Sequence, residues 1–162
     1  MATNIHLKVD KIDGDSEVDK HKKEIQISSW SWGATQSGNN HVAKGGTRGK
    51  ASFHDIQVTK FMDKSSPSLM KYLSTGDDIA EITLAMTKAA GESGSFDYVA
   101  IKLKQCIVSS ISIQGTTGDD RVSESVTFNF ADFEYKYVET TDKNTAGTPT
   151  EFKYSIQQTK LT

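Results

Sequence analysis

Ser29-Trp30-Ser31-Trp32-Gly33 holds the chain's two tryptophans two residues apart, so an extended backbone places both indoles on one face and Ser29, Ser31 and Gly33 on the other. One side of this strand is packed and the other is small and polar, which suits a building block better than a catalyst. Working towards the N-terminus, Ile25 and Ile27 alternate on odd numbers whereas the tryptophans are even. A period of two cannot change phase unaided, which predicts a bulge or sharp bend around Ser28-Ser29. Further back, Ile5, Leu7 and Val9 alternate with His6, Lys8 and Asp10 as a first strand, and Asp13-Gly14-Asp15-Ser16 supplies turn chemistry.

Towards the C-terminus, Ala34 to Lys50 carries Gly38, Gly45, Gly46 and Gly49 with almost no large apolar residue, and reads as a long surface loop that orders against a partner or as a flexible insertion. Phe53 to Phe61 reads as one strand through Ile56 and Val58. The sole helix signal follows, with Ser66 as N-cap, Pro67 at the first helical position, Leu69, Met70 and Leu73 on one face and Gly76 closing about two turns. Nearly everything after it is strand. Ile82, Leu84 and Met86 share a face. After a turn at Gly91-Glu92-Ser93-Gly94, Val99, Ile101 and Leu103 set a phase that Ile107, Ser109, Ile111 and Ile113 continue, as one long bent strand or two in series. Val126, Phe128 and Phe130 lie on one phase and Phe133, Tyr135 and Tyr137 on the other, which predicts a bulge near Ala131-Asp132. Asn144 to Pro149 reads as the last long turn before Phe152, Tyr154 and Ile156. Seven to nine strands with phase slips and one small helix predict a mainly β fold: a closed or nearly closed antiparallel barrel, or two packed sheets.

Composition narrows the function. The 162 residues, 35% hydrophobic and 25% charged, suit one domain spanning 1–162, and a net charge of -2 gives no basic field to hold a nucleic-acid backbone. The lone Cys106 excludes an internal disulfide framework and, beside Ile107 in a strand pattern, reads as a buried inert thiol. The N-terminal residues lack the apolar core and cleavage site of a signal peptide, and no run reaches transmembrane length. Synthesis in the cytoplasm is therefore expected, with any export by a route that needs no removable signal and with no stable membrane insertion.

The search for chemistry returns mostly negatives. Gly45-Gly46-Thr47-Arg48-Gly49-Lys50 fails as a phosphate loop, because Lys44 stands where the first glycine must be, Ala51 follows Lys50, and a strand replaces the helix. His6, His21, His41 and His54 have no metal-ligand spacing and read as polar strand or loop residues. Neither cofactor nor metal is expected. Two of Glu81, Asp97, Glu124 and Asp132 could face each other across a cleft as a glycosidase pair, although solvated faces explain them more simply. Asp119-Asp120-Arg121 is most simply a charged turn, and could also pin a neighbour's orientation. The tryptophans fit a core or a subunit seam, or alternatively a stacking platform in a monomeric module that binds carbohydrate or peptide.

Several blocks in order give the chain a family likeness over nearly its whole length. Asp13-Gly14-Asp15-Ser16, Trp30-Ser31-Trp32-Gly33, the glycine loop through Gly49-Lys50 and Thr59-Lys60-Phe61-Met62-Asp63-Lys64-Ser65-Ser66-Pro67-Ser68-Leu69 resemble the Hcp (haemolysin co-regulated protein) family, the tail-tube subunits of bacterial type VI secretion systems. Ile101-Lys102-Leu103-Lys104, Val108-Ser109-Ser110, Gly118-Asp119-Asp120-Arg121 and Val126-Thr127-Phe128-Asn129-Phe130-Ala131 continue the likeness. One departure is Asp15, where the family commonly has glutamate; charge and turn propensity are kept.

The resemblance implies a β-barrel of two sheets with a short flanking helix, and a non-enzymatic homo-hexameric ring with a wide channel. Rings would stack into a tube inside a contractile sheath, which drives tube, spike and small effectors into a neighbouring cell, with effectors chaperoned in the lumen. It further implies that Ser31 lies at the lumen face. The loop from Ala34 to Lys50, with Gly38, His41, Gly45, Gly46, Arg48 and Lys50, would project towards the adjacent ring. A ring of identical subunits needs a heterologous interface, which sheet flanks of alternating Ile, Val, Thr and Tyr can supply.

Overall fold

The computed structural model describes residues 3–38, 48–91 and 94–162. In chain order they form β1 (Asn4–Val9), β2 (Ile25–Gln26), β3 (Ser29–Ser31), β4 (Ala34–Gly38), β5 (Arg48–Phe53), β6 (Ile56–Phe61), α1 (Ser65–Thr75), β7 (Ile79–Ala90), β8 (Gly94–Gln114), β9 (Ser123–Thr140), β10 (Ala146–Ser155) and β11 (Lys160–Leu161). Every pairing among the described residues is antiparallel. The main sheet runs β11-β10-β9-β8-β7-β1-β2, and β6 joins it by pairing with both β9 and β3. Among the described residues the ends of that path, β2 and β11, do not pair with each other, so the barrel they form is not closed. β4 and β5 form a separate two-stranded sheet.

The long β8–β9 ribbon organises the rest, because β9 changes its second partner halfway: Ser123 to Phe128 pair with β6, while Asp132 to Thr140 pair with β10. The sequence pattern foresees the phase change at Ala131-Asp132, and the structure adds that β8 changes phase opposite it. Ile101 and Leu103 are buried, then Cys106 and Val108, while Ile107 is exposed. Ile107 therefore does not continue the phase of Leu103, as the odd-numbered spacing suggests. Gln105, at φ 52, is the residue that turns the strand over. Lys104 still faces Asp132 and Cys106 still faces Phe130, so the ribbon flips its faces without losing register there.

The break foreseen at Ser28-Ser29 is a change of partner. β2 pairs with β1, the chain turns through Ile27 and Ser28, and β3 pairs with β6. Elsewhere the boundaries differ from the sequence reading. Phe53 to Phe61 is split at His54-Asp55, where the His54 carbonyl accepts the Trp32 Nε1–H at 3.0 Å. The span Ala34 to Lys50 begins and ends as paired strand, because alternating small and polar residues can pair in a hairpin whose β4 strand is exposed along its whole length. The final turn is shorter than expected, since Thr141 and Thr145 close it and β10 already includes Pro149.

Helix α1 is longer than two turns because it starts before Ser66. Asp63 Oδ1 accepts the Ser65 N–H at 2.9 Å, which frees the Ser66 hydroxyl for a buried ion pair, and Pro67 sits inside the first turn rather than at its first position. Leu69 is fully buried in the core. Gly76 ends the helix at φ 70, its N–H donating to the Tyr72 carbonyl at 2.9 Å. A side chain there would meet no atom within 4 Å, so only the backbone opposes it. Gly76→Ala is expected to cost about 1–2 kcal/mol; thermal unfolding checks this, and unchanged stability would mean that the helix end is not held.

Candidate functional site

The exterior of the β3-β6-β9-β8 half carries two rows of small polar residues running across four strands. Cross-strand register aligns Ser31, Gln57, Thr127 and Ser110 in one row, and Ser29, Thr59, Ser125 and Ser112 in the next. None of these eight side chains is charged, and Ser29, Ser31, Gln57, Ser110 and Ser112 are exposed. The rows are tied together: Gln57 Nε2 donates to Ser125 Oγ at 2.7 Å, and the Ser110 and Thr127 hydroxyls lie 2.6 Å apart. At the margin Asp55 accepts from Asn129 Nδ2 at 2.8 Å and Ser109 Oγ at 2.7 Å, so both its oxygens are occupied. Local sequence explains this surface, because the alternate residues Ile56, Val58, Val126 and Phe128 point inward and are buried.

Beyond Gln105 the same ribbon has a different exterior. Lys102 and Lys104 on β8, Glu134 and Lys136 on β9, and Glu151 and Lys153 on β10 form a ladder of alternating sign, with Glu81 of β7 at its edge. Lys104 Nζ lies 3.1 Å from Glu134 Oε1, Lys136 Nζ 3.6 Å from Glu151, and Lys102 Nζ 3.8 Å from Glu81. Burial would raise the Glu134 pKa, but the hydrogen bond and charge of Lys104 outweigh it and hold the carboxyl below its ordinary value. The same contact raises Lys104. Exposed pairs of this kind contribute little stability; their effect is to set the character of the surface.

The tryptophans face inward. Trp30 Nε1 donates to Met86 Sδ at 3.2 Å, and the Trp32 ring stands edge-on to Phe133 at 5.0 Å between centroids. Both pack against the core. Aromatic packing then runs out to the surface along β9 and β10, where Tyr135, Tyr137 and Phe152 are 45%, 46% and 44% exposed. These three form an unspent apolar flank.

The sequence-selected residues fall in separate places. Ser31 is exposed within the hydroxyl rows. Gly38 pairs with Arg48 at the far end of the β4–β5 arm, where Lys50 is exposed, while His41, Gly45 and Gly46 lie outside the described residues. In the turn before β9, Asp119 Oδ2 accepts the Thr116 hydroxyl at 2.7 Å, Asp120 is exposed, and the Arg121 guanidinium lies 3.8 Å from the Phe61 ring centre. This turn is thus partly spent on its own chain.

Of the carboxylates considered as a catalytic pair, Glu81 and Asp97 line one shallow depression and the other two lie elsewhere. Glu124 is buried against Lys60, Asp97 bonds His21, and Glu81 and Asp132 stand on the outer face of the charged half. Cys106 is fully buried, and burial first, with the Glu81 charge second, pushes its pKa up to about 12. Such a thiol stays protonated and is no nucleophile. Two polar clusters escape a reading by composition alone: Lys60-Glu124-Ser66-Asp63, and a buried stack of His6 on His21. These two histidines were expected as ordinary polar residues of a strand and a loop.

Comparison with known proteins places this architecture. Residues 6–137 match the family described as "Type VI secretion system effector, Hcp". Protein hcp1 of Pseudomonas aeruginosa is 38% identical over 159 residues, covering 98% of both chains. The crystal structure of Hcp1 from Salmonella typhimurium superposes with a TM-score of 0.82 at 31% identity over the full length of both chains. A second solved structure, of a type six secretion system protein, reaches a TM-score of 0.92 at 30% identity, covering 99% of this chain and all of the other. An antiparallel β fold with one flanking helix, matched in sequence and shape along nearly its whole length, makes this chain a member of the Hcp family of the type VI secretion system.

Proposed function

We propose that this chain, a single domain, is the structural subunit of a type VI secretion tube, six copies closing into a ring around an open channel and rings stacking end to end. The observation that carries this reading is the pair of uncharged cross-strand rows around Ser31. A channel wall must stay hydrated and must be able to release what it carries. Hydroxyl and amide groups do that, whereas fixed charge would trap cargo of opposite sign and an apolar wall would bind unfolded cargo. The hydroxyl half is therefore assigned to the lumen, where small effectors would bind and be chaperoned, and the charge ladder faces away from it.

Ring closure by one rotation needs two different surfaces on each copy. Tyr135, Tyr137 and Phe152 offer an apolar patch for one of them, and the β4–β5 arm would reach across the junction between rings. The turn at Asp119-Asp120-Arg121 is assigned to orienting a neighbour. Sheath and spike proteins complete the set of partners. The chain works by assembly and delivery, with no bond chemistry, and leaves the cell through the apparatus. Among the described residues no helix is long and apolar enough to cross a membrane. The alternative, a monomeric module that binds carbohydrate or peptide at the tryptophans, is disfavoured because both indole rings pack against the core.

The native mass of the purified chain at tens of micromolar, combined with negative-stain imaging, tests the proposal. Six-fold rings with an open centre are expected, and a strictly monomeric mass would overturn it.

A further inference from the structure

The segment 13–24 crosses the exterior of the sheet as a strap, held to itself by Gly14 N–H to Lys23 O at 2.7 Å and Lys23 N–H to Ser16 O at 2.8 Å. Beneath it His6 of β1 is fully buried, and neither ring nitrogen has a hydrogen-bond partner among the described residues. His21 of the strap lies flat on it, with ring centres 4.6 Å apart and planes within 1° of parallel. His21 Nδ1 is 2.7 Å from Glu24 Oε2, and its Nε2 is 2.9 Å from Asp97 Oδ1 on β8. Ionised carboxylates only accept, so both nitrogens of His21 carry hydrogen and the ring is a cation. Thr87 Oγ1 donates to the same Asp97 oxygen at 2.7 Å and fixes it in place. A second cation stacked face to face on the first would be repelled, so His6 is neutral.

We propose that one proton, carried by His21 and excluded from His6, latches the 13–24 strap over β1, β7 and β8, so that the strap is a pH-sensitive clasp that weakens on both sides of an optimum. The other charged groups around the pair are Lys8 of β1, Lys20 of the strap, Glu81 of β7 and Lys102 of β8. From β2, His6 faces the uncharged Gln26.

Both directions of the pH response follow from the environment of each ring. Burial, and next the charge of His21, push the His6 pKa below its ordinary value, with Asp97 partly opposing them. As pH falls through the ordinary histidine range, a released strap lets His6 take up a proton that the latched form refuses, and latching weakens. Burial alone would lower His21, but its bonds to Glu24 and Asp97 outweigh burial and raise it. As pH rises through that raised value, His21 loses the proton that holds both carboxylates, and latching weakens again.

Amide hydrogen exchange of the full chain between pH 5 and 8, corrected for intrinsic rates, tests the clasp. Protection of Gly14, Ser16, His21, Lys23 and Glu24 is expected to peak near the ordinary histidine pKa of about 6.5 and to fall several-fold on either side, while the β8–β9 ladder stays flat. His6→Phe keeps the stack but should abolish the acid limb alone, and His21→Asn should abolish the alkaline limb alone. A flat or monotonic profile in the parent chain, or an acid limb that survives His6→Phe, overturns the proposal. Should either variant fail to fold, ring-nitrogen NMR shifts of the parent chain decide: one imidazolium and one neutral ring near pH 6.5 uphold it, and two neutral rings refute it.

Discussion

Lys60→Met is expected to destabilise the chain by about 3–5 kcal/mol, because it strands a buried carboxylate. Lys60 and Glu124 are direct cross-strand partners on β6 and β9, 1% exposed each, with Nζ 2.8 Å from Oε2. Ser66 at the start of α1 donates to the same Glu124 oxygen at 2.6 Å, and Lys60 also reaches Asp63 Oδ1 at 3.0 Å. The cluster thus binds the helix to the sheet. Removing the lysine leaves Glu124 with one hydroxyl and no counter-charge in a dry setting, where the cost of desolvation is largest. The double variant Lys60→Met/Glu124→Leu should recover most of the loss, since two packed apolar side chains of similar volume need no solvation. Urea unfolding at fixed protein concentration gives both values. A loss below about 1 kcal/mol for the single variant would show that water reaches the pair.

The second large effect concerns assembly rather than folding. Gly49 lies so close to β4 that an added Cβ would sit 1.7 Å from the Ser37 carbonyl oxygen. No rotamer relieves a backbone clash of that size, so Gly49→Val should break the far half of the β4–β5 hairpin. The arm is a separate two-stranded sheet, so the main sheet should keep its unfolding midpoint. If the arm bridges rings, tubes and stacked rings disappear from negative-stain images while single rings remain. Tubes of normal length formed by Gly49→Val would remove the arm from the stacking contact; loss of the fold itself would show that the hairpin is part of the core.

The sequence carries the β period, the kinks and the helix, and the reasons it misleads elsewhere are local. Alternation identified β1, β7 and the inward faces of β9, because one face of each is buried. It misassigned Ile107, since one left-handed residue, Gln105, inverts the phase and no glycine marks the place. It treated the ends of the Ala34 to Lys50 span as loop because β4, exposed at every residue, has no hydrophobic pattern to read. The Lys60 cluster was visible in principle: Lys60 shares the even phase of Ile56 and Val58, and Glu124 that of Val126 and Phe128, so a charge of each sign stood on an inward face. The His6–His21 stack was not visible, because nothing in the local pattern says that a polar strap returns to cover a strand's outer side. Ser31 enters through the family resemblance, and the breadth of the polar surface around it depends on registers across four strands that a single segment does not encode.

Because β8 and β9 turn over together at Gln105 and Ala131, a residue gained or lost by one strand alone would leave its downstream half inside out, with serines against the core and isoleucines outside. The same gain in both strands would cancel. Length changes at that point are therefore tolerable as matched pairs, or where a bulge such as the one at Ser109, a residue of β8 that β9 does not match, restores the faces.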